Sequence, residues 1–301
     1  MPYGSAGFLR RKEEKNVNIR DVLFVSDLDG TLLEADASLN SDTARRINAL
    51  TQKGVRITYA TARTVRSVSR ILGEIDFSLS DVPVALMNGV LLRDMRQNRY
   101  VSAAEIDPGT AQNVLDALTE LGASPFVYSL DEENPIDGDP LHTCYREIAN
   151  VPMRRFYEER VQKYGKPFLK IQNAADIPGR IIYFCLIAEE ALIRRAAKTL
   201  ETIPEIRLTF YRDSYAEDTW YLEAFSPDAS KKNAVEKLRQ MTGAKKIIAF
   251  GDNRNDIPMF EAADIAVAVE TAVTEAKAAA HETTPAVIEY MEAFCKENFG
   301  I

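Results

Sequence analysis

Twice in this chain a short apolar run ends in a turn carrying several carboxylates, and these two places constrain the fold more than any other feature. The first is Val22-Leu23-Phe24-Val25 followed by Asp27-Leu28-Asp29-Gly30-Thr31; the second is the run over 246–250 followed by Gly251-Asp252-Asn253-Arg254-Asn255-Asp256. A brief apolar run bounded by polar turns suits a strand covered on both faces, the usual case in parallel sheets. The text around both runs alternates in the same way. After the first turn comes a helix with Asp42 in its opening turn, Ile47 and Leu50 on one face and Gly54 as its stop. A second strand over 55–60, a helical stretch over 65–72 and a third strand at Val84-Ala85-Leu86-Met87 follow. Late in the chain a helix over 232–242, a strand over 246–250, a helix over 257–263 and a strand over 265–269 repeat the pattern. With right-handed crossovers the two stretches are halves of one α/β fold, a doubly wound, mostly parallel, Rossmann-like sheet.

Between the halves the rhythm changes. Asp107-Pro108 opens a helix stopped by Gly122, strands are expected over 126–130, 181–188, 207–211 and 221–225, and a helix over 191–201. The stretch 131–140 is a long acidic loop. This reads as an inserted α+β cap domain over 93–221, with the core domain split between 21–92 and 222–301. Residues 1–20, polar and charged at Arg10 to Lys15, read as a flexible arm.

Composition removes several function classes. Lys plus Arg number 37 and Asp plus Glu 45, a net charge of −8, so no basic field draws nucleic acid or an anionic membrane. The longest strongly apolar run, 181–188, is far short of the ~20 residues that span a bilayer. Cys144, Cys185 and Cys295 are widely spaced, which supports neither a disulfide framework nor a zinc site and fits a reducing cytoplasm. His142 and His281 are the two histidines, too few for a multi-histidine metal site, and both read as solvated or locally bonded. Carboxylates are left to do the chemistry.

Alternation along an extended segment places Asp27 and Asp29 on one side at the end of a buried strand. Two such charges ~4 Å apart repel by about 4 kcal/mol at an effective dielectric near 20, so a metal ion or a shared proton is expected. The competing reading is a turn whose aspartates bond local amides around Gly30. Because strand ends share one edge in a doubly wound sheet, Asp27, Asp29, Asp252 and Asp256 can meet around one hard cation. Oxygen donors without Cys or His favour magnesium over zinc. Alternatively the second cluster is a capped helix start, with Asp252 or Asn255 as the cap. Thr61, ending the second strand, offers a hydroxyl and the following amide at Ala62 to a phosphoryl oxygen, or else serves as an N-cap. Lys231 and Lys232 precede a helix returning to the core and offer a cation for an anionic transition state. Asn88-Gly89 is a tight turn or a pivot to the insert. Cys185 and Trp220 read as packing, and Arg154-Arg155 as a solvated pair or a contact for an anionic substrate.

Taken together these residues resemble the haloacid dehalogenase superfamily, and more narrowly its Cof-like branch with a large α/β cap inserted after the third strand. Over about residues 21–280 the four motifs fall in order: Asp27-Leu28-Asp29-Gly30-Thr31, Thr61-Ala62-Arg63, Lys231 after Ser230, and Gly251 to Asp256. The resemblance implies that Asp27 attacks phosphorus to give an aspartyl phosphate, while Asp29 protonates the leaving oxygen and then activates water. It further implies that Thr61, Ala62 and Lys231 hold phosphoryl oxygens. Magnesium would be bound by the Asp27 side chain, the Asp29 carbonyl and Asp252, with Asn255 and Asp256 orienting or supplementing that set. Ala62 and Lys232 stand where the family usually has glycine, and Glu270-Thr271 where a Gly-Asn pair is common. The expected function is a magnesium-dependent phosphatase acting on a small phosphorylated metabolite, sugar phosphates being the default for this cap. The alternatives are a phosphomutase of the same fold and a non-catalytic protein that binds a phosphorylated ligand. Neither a nucleic acid nor a membrane is expected as partner, and the sequence carries no signal for an oligomeric state.

Overall fold

The strand β1 (Val22–Ser26) is buried along its whole length, as its apolar sequence requires. It pairs in parallel with β2 (Arg56–Tyr59) on one side and β12 (Lys246–Gly251) on the other. Two further parallel strands, β13 (Ile265–Val269) and β14 (Glu282–Thr284), complete a five-stranded sheet in the order β14-β13-β12-β1-β2. The chain winds outward from β1 in one direction and from β12 in the other. The switch point lies between these two strands, where ligands bind in folds of this kind. The computed structural model describes residues 18–213, 216 and 218–301. The arm expected over 1–20 lies, up to residue 17, outside the described residues; Ile19–Asp21 form one turn of 3-10 helix boxed by the Asn18 and Asp21 side chains.

Helices α1 (Ser41–Gln52), α2 (Val65–Ile71), α6 (Lys231–Thr242), α7 (Ile257–Ala262), α8 (Thr274–Ala279) and α9 (Val287–Phe299) surround this sheet. The first follows its sequence signals: the Asn40 side chain accepts the Asp42 and Thr43 amides, and Ala44, Ile47 and Leu50 form the buried stripe. β3 (Val84–Leu86) adjoins β2 through one parallel bridge, Ala60 to Ala85, then turns antiparallel to β4 (Leu91–Asp94), which pairs with β5 (Arg99–Ala103).

From there the chain enters a second sheet of six strands: β6 (Phe126–Leu130), β7 (Leu141–Tyr145), β8 (Leu169–Lys170), β9 (Arg180–Ala188), β10 (Arg207–Arg212) and β11 (Trp220–Phe225). Their order is β10-β11-β9-β6-β7-β8, antiparallel except for the short β7–β8 pair. Helices α3 (Pro108–Glu120) and α5 (Glu190–Leu200) cover one face with a separate core that includes Val114, Leu118, Ile193 and Leu200. This is the α+β cap inserted in the α/β core. The ladders do not divide at the expected boundaries: Leu92 and Arg93 both lie in β4, and Tyr221 and Leu222 both lie in β11. β4 pairs with β3 without a break, although its register against β5 shifts between Leu92 and Arg93, and β11 pairs with β9 and β10 without a break, so each strand stays whole on one side of the division.

Some elements carry no apolar period that the sequence could announce. Helix α4 (Val151–Tyr164) is mostly polar, with Met153 fully buried; its signals are local, the Asn150 side chain accepting the Met153 amide at one end and left-handed Gly165 at the other. Among the described residues no helix is long and apolar enough to cross a membrane.

Asn88-Gly89 turns the chain from β3 into β4 through three consecutive residues of positive φ, Met87 at 51°, Asn88 at 55° and Gly89 at 92°. A Cβ on Gly89 would lie 2.3 Å from the Ser230 carbonyl oxygen. Ser230 caps α6, its hydroxyl accepting the Asn233 amide at 3.0 Å. The turn is therefore seated on the start of the helix that carries Lys231. Gly89→Ala is expected to destabilise the fold by at least about 2 kcal/mol, from left-handed strain plus the clash. Gly122→Ala, also left-handed but with nothing within 4 Å of the added Cβ, should cost only about 1 kcal/mol. Equal shifts in thermal unfolding would show that the contact with Ser230 contributes nothing.

Candidate active site

Asp27 stands one residue past β1, and its amide still donates to the Phe250 carbonyl at 2.9 Å, so the parallel ladder carries its side chain to the sheet edge. The residue is 5% exposed. Beyond it the backbone stops being extended: the Leu28 carbonyl accepts the Thr31, Leu32 and Leu33 amides at 3.3, 3.0 and 2.9 Å. This coil overrides the alternation that would have set Asp29 beside Asp27. Asp29 instead faces the space in front of the sheet, where Arg63 grips it with two bonds, Nε donating to Oδ2 at 2.7 Å and Nη2 to Oδ1.

The end of β12 supplies the rest. Asp252, Asp256 and Asp27 each offer a carboxylate oxygen within 4.8 Å of the others. Asp256 is fully buried; its Oδ2 accepts the Asp252 and Asn253 amides at 2.9 and 3.0 Å and so clamps the turn. Gly251 is required there, because a Cβ would stand 2.5 Å from the Asp256 Cβ. Lys231 enters from the first residue of α6, with its side chain 1% exposed, and donates to Asp27 Oδ1 at 2.6 Å and to Asp256 Oδ1 at 2.7 Å. Lys232 points outward to Glu261 at 3.1 Å. Of the two lysines, Lys231 is the one facing the carboxylates. Asp252 is half-buried and accepts the Thr31 hydroxyl at 3.0 Å; a Cβ on Gly30 would lie 2.5 Å from its Oδ2.

Three carboxylates against one ammonium leave an excess of negative charge in a buried place, which is unfavourable without a further cation. Burial pushes the Asp27 carboxyl up to about 7; Lys231 opposes that shift and Asp256 adds to it. Burial also raises Asp252. For Lys231 burial works downward, but Asp27 and Asp256 outweigh it and its pKa stands above the ordinary value. An all-oxygen donor set with surplus negative charge fits a hard divalent cation such as magnesium, and Gly30 leaves open the space beside Asp252.

The other predicted residues fall around this cluster. Thr61 is fully buried, its amide donating to the Ala85 carbonyl at 3.0 Å, and its hydroxyl accepts the Arg63 amide at 3.2 Å. It is not a helix cap, since α2 begins after Thr64. Ala62 is exposed and faces the same space as Asp29. Asn255 is exposed on the turn after β12, and Asn253, rather than Asp252 or Asn255, caps that turn. The carboxylate of Asp29 is not part of the acidic cluster, which among the described residues consists of Asp27, Asp252 and Asp256. Arg155 lies away from it in an exposed pair with Asp218 at 2.8 Å, and His142 and Cys185 are buried in the cap.

In front of the cluster a cavity of about 460 Å³ opens between core and cap. Asp29, Ala62, Arg63 and Thr64 line its core side; Tyr128, Lys166, Tyr183, Tyr221 and Glu223 are among the cap residues opposite. Sequence reasoning gave no role to Arg63 or to these cap residues. A single arginine beside a Thr-Ala pair looks like any surface cation, and the cap residues come from three strands and a loop that only the fold brings together.

Residues 24–289 match the haloacid dehalogenase-like hydrolase family. YxeH of Bacillus subtilis, named as a phosphatase, is 28% identical over 87% of this chain and 92% of its own length. The 5-amino-6-(5-phospho-D-ribitylamino)uracil phosphatase YwtE of the same organism is 24% identical over 83% of this chain and 88% of its own. Among solved structures, a haloacid dehalogenase-like hydrolase from Bacteroides thetaiotaomicron superposes with a TM-score of 0.73 at 16% identity, covering 90% of this chain and 98% of that one. The subclass IIB sugar phosphatase BT4131 does so with a TM-score of 0.63 at 20% identity, covering 92% and 98%. With its motifs at the switch point of the sheet and a family match that spans most of its length, the chain belongs to the haloacid dehalogenase-like hydrolases.

Proposed function

We propose that this hydrolase is a magnesium-dependent phosphatase of small phosphorylated metabolites that works through a phosphorylated Asp27. The observation that carries the reading is the buried cluster of Asp27, Asp252 and Asp256 around Lys231, with Asp29 set apart from it at the mouth of the cavity. Hydrolysis of a phosphomonoester is among the slowest uncatalysed reactions, so nucleophile, proton carrier and charge compensation must act together.

Lys231 fixes the orientation of Asp27 and offsets the charge on a phosphoryl group arriving beside it. An Asp27 oxygen bonds to phosphorus as the bond from phosphorus to the leaving oxygen breaks, and Asp29 gives that oxygen its proton. Asp29 then takes a proton from water as the water attacks phosphorus, releasing inorganic phosphate and restoring Asp27. Arg63 positions Asp29 by its two-pronged grip. In this reading the Thr61 hydroxyl and the Ala62 amide would hold phosphoryl oxygens. Asp27, Asp252 and the Asp29 carbonyl would hold magnesium, with Asn255 and Asp256 orienting or supplementing that set, and the bound ion would supply the positive charge that lets two anions meet. Water enters only after the alcohol has left, which separates this reading from a phosphomutase.

The relatives' names point to different leaving groups, a sugar for BT4131 and a ribitylamino-uracil for YwtE. Membership of the family therefore leaves the leaving group to the cap. Cys144, Cys185 and Cys295 are all free thiols, which accords with the reducing cytoplasm expected for an enzyme of small metabolites.

Two experiments test the reading. Asp27→Asn should lower phosphate release from a good substrate at least about a thousandfold while leaving thermal unfolding near that of the wild type; retained turnover would move the nucleophile elsewhere. Chelation should abolish release and added magnesium restore it, and Asp252→Ala should raise the magnesium concentration for half-maximal rate by about tenfold or more. An unchanged metal requirement in that variant would place the cation away from β12.

A further inference from the structure

One face of the cap sheet is turned to the cavity, and strand register decides what it presents. Tyr128 of β6 lies across from Tyr183 of β9, Glu223 of β11 across from Cys185, and Tyr211 of β10 across from Tyr221. All six line the cavity. Tyr211 and Tyr221 are stacked at 5.3 Å with 15° between their planes, Phe156 meets Tyr221 edge-on at 6.3 Å, and Tyr128 meets Tyr183 edge-on at 5.7 Å. The wall facing Asp29 is a near-continuous aromatic surface.

Among the described residues, two charges in that wall have no ion-pair partner. Lys166 donates to the Tyr128 hydroxyl at 3.3 Å and lies over the Tyr128 and Phe168 rings at 4.5 and 5.0 Å. Among the described residues no carboxylate lies within ion-pair distance of it. Glu223 accepts the Tyr211 hydroxyl at 3.0 Å and the Thr209 hydroxyl at 3.1 Å, and among the described residues no cation pairs with it. Other cations of the cavity are matched: Arg63 by Asp29, Arg66 by Asp137 and Arg160 by Glu159. Partly buried charges left unpaired are unfavourable, and finding one of each sign in the same cavity points to a ligand that meets both. Burial, with Arg160 near, pushes the Lys166 ammonium down to about 7, and burial raises Glu223. Both groups lean toward neutrality until something bonds to them.

A polyol needs many directed donors and acceptors, whereas this wall offers ring faces and two isolated polar readers. A flat ring has the matching form, with stacking faces and a polar edge. Resting on the phosphatase reading above, we infer that the alcohol released by this enzyme carries an aromatic ring, whose edge presents an acceptor to Lys166 and an N–H or O–H donor to Glu223.

The test compares phosphate release, with magnesium, from uridine and flavin mononucleotides against release from glucose 6-phosphate and erythrose 4-phosphate, with acetyl phosphate as a donor lacking a ring. The expected result is a kcat/KM about tenfold or more higher for a ring-bearing ester than for either sugar phosphate. Glu223→Gln, of the same shape, and Lys166→Met should each cut the ratio of ring-ester to acetyl phosphate kcat/KM about tenfold, mainly through KM. Sugar phosphates turned over as well as the ring esters, or variants that leave that ratio intact, would overturn the inference. Should no ester release phosphate, the phosphatase reading fails by itself, and calorimetry on the unsubstituted chain decides the cavity's preference. Uridine or riboflavin binding that Glu223→Gln abolishes upholds it, and binding of glucose or erythritol alone overturns it.

Discussion

The burial of three carboxylates against a single lysine is the constraint on which the rest of this structure depends. Asp27, Asp252 and Asp256 come from two strands that are neighbours only because the sheet reverses its winding between β1 and β12. Parallel pairing in register, from Val22 with Lys246 to Ser26 with Phe250, brings both acidic turns to the same edge at the same depth. Lys231 then has to reach that edge, which sets where α6 begins and what can lie beneath its cap. Gly89 at φ 92° and the Ser230 carbonyl it touches are consequences of that requirement. So is Gly251, whose missing side chain makes room for Asp256.

The two aspartates of the first motif are divided by a local event. A strand that continued two residues further would have stacked their charges. The Leu28 carbonyl instead gathers three amides, the chain coils, and one carboxyl stays buried with Lys231 while the other stands 49% exposed in the grip of Arg63. Under the proposed function, separate environments would give two identical side chains separate tasks: one, desolvated and oriented, would attack phosphorus, and the other, facing the cavity, would carry protons. The cap completes the arrangement by covering the mouth of the site with its aromatic face while its opposite face is sealed by α3 and α5.

Much of this was legible in the sequence because the signals are local. Apolar runs of four or five residues announced β1, β12 and β13; Asp42 and Gly54 marked the start and stop of α1; Asp107-Pro108 opened α3. What stayed hidden lacked an apolar period or was too short to have one. Helix α4 is polar on most of its surface, β8 has two residues, and β4 is ordered by pairing with β3 and β5 by pairing with β4. The acidic motifs could be found as strings, but Lys231 and Lys232 could not be told apart, because one position of helical rotation separates a buried ammonium from a surface one.

By itself the sequence determined the class of fold, the alternation that builds its sheet, the insertion that interrupts it and the residue types gathered at its edge. Those features follow from nearest-neighbour patterning, which is carried in a few consecutive residues. Only the tertiary structure decided that Asp29 turns away from Asp27 toward Arg63, that Asp256 clamps both its own turn and Lys231, and that a lysine and a glutamate without ion-pair partners among the described residues share an aromatic wall opposite them. Each of those facts joins residues distant in the chain, and their distances are set by sheet order and register, which no local pattern encodes.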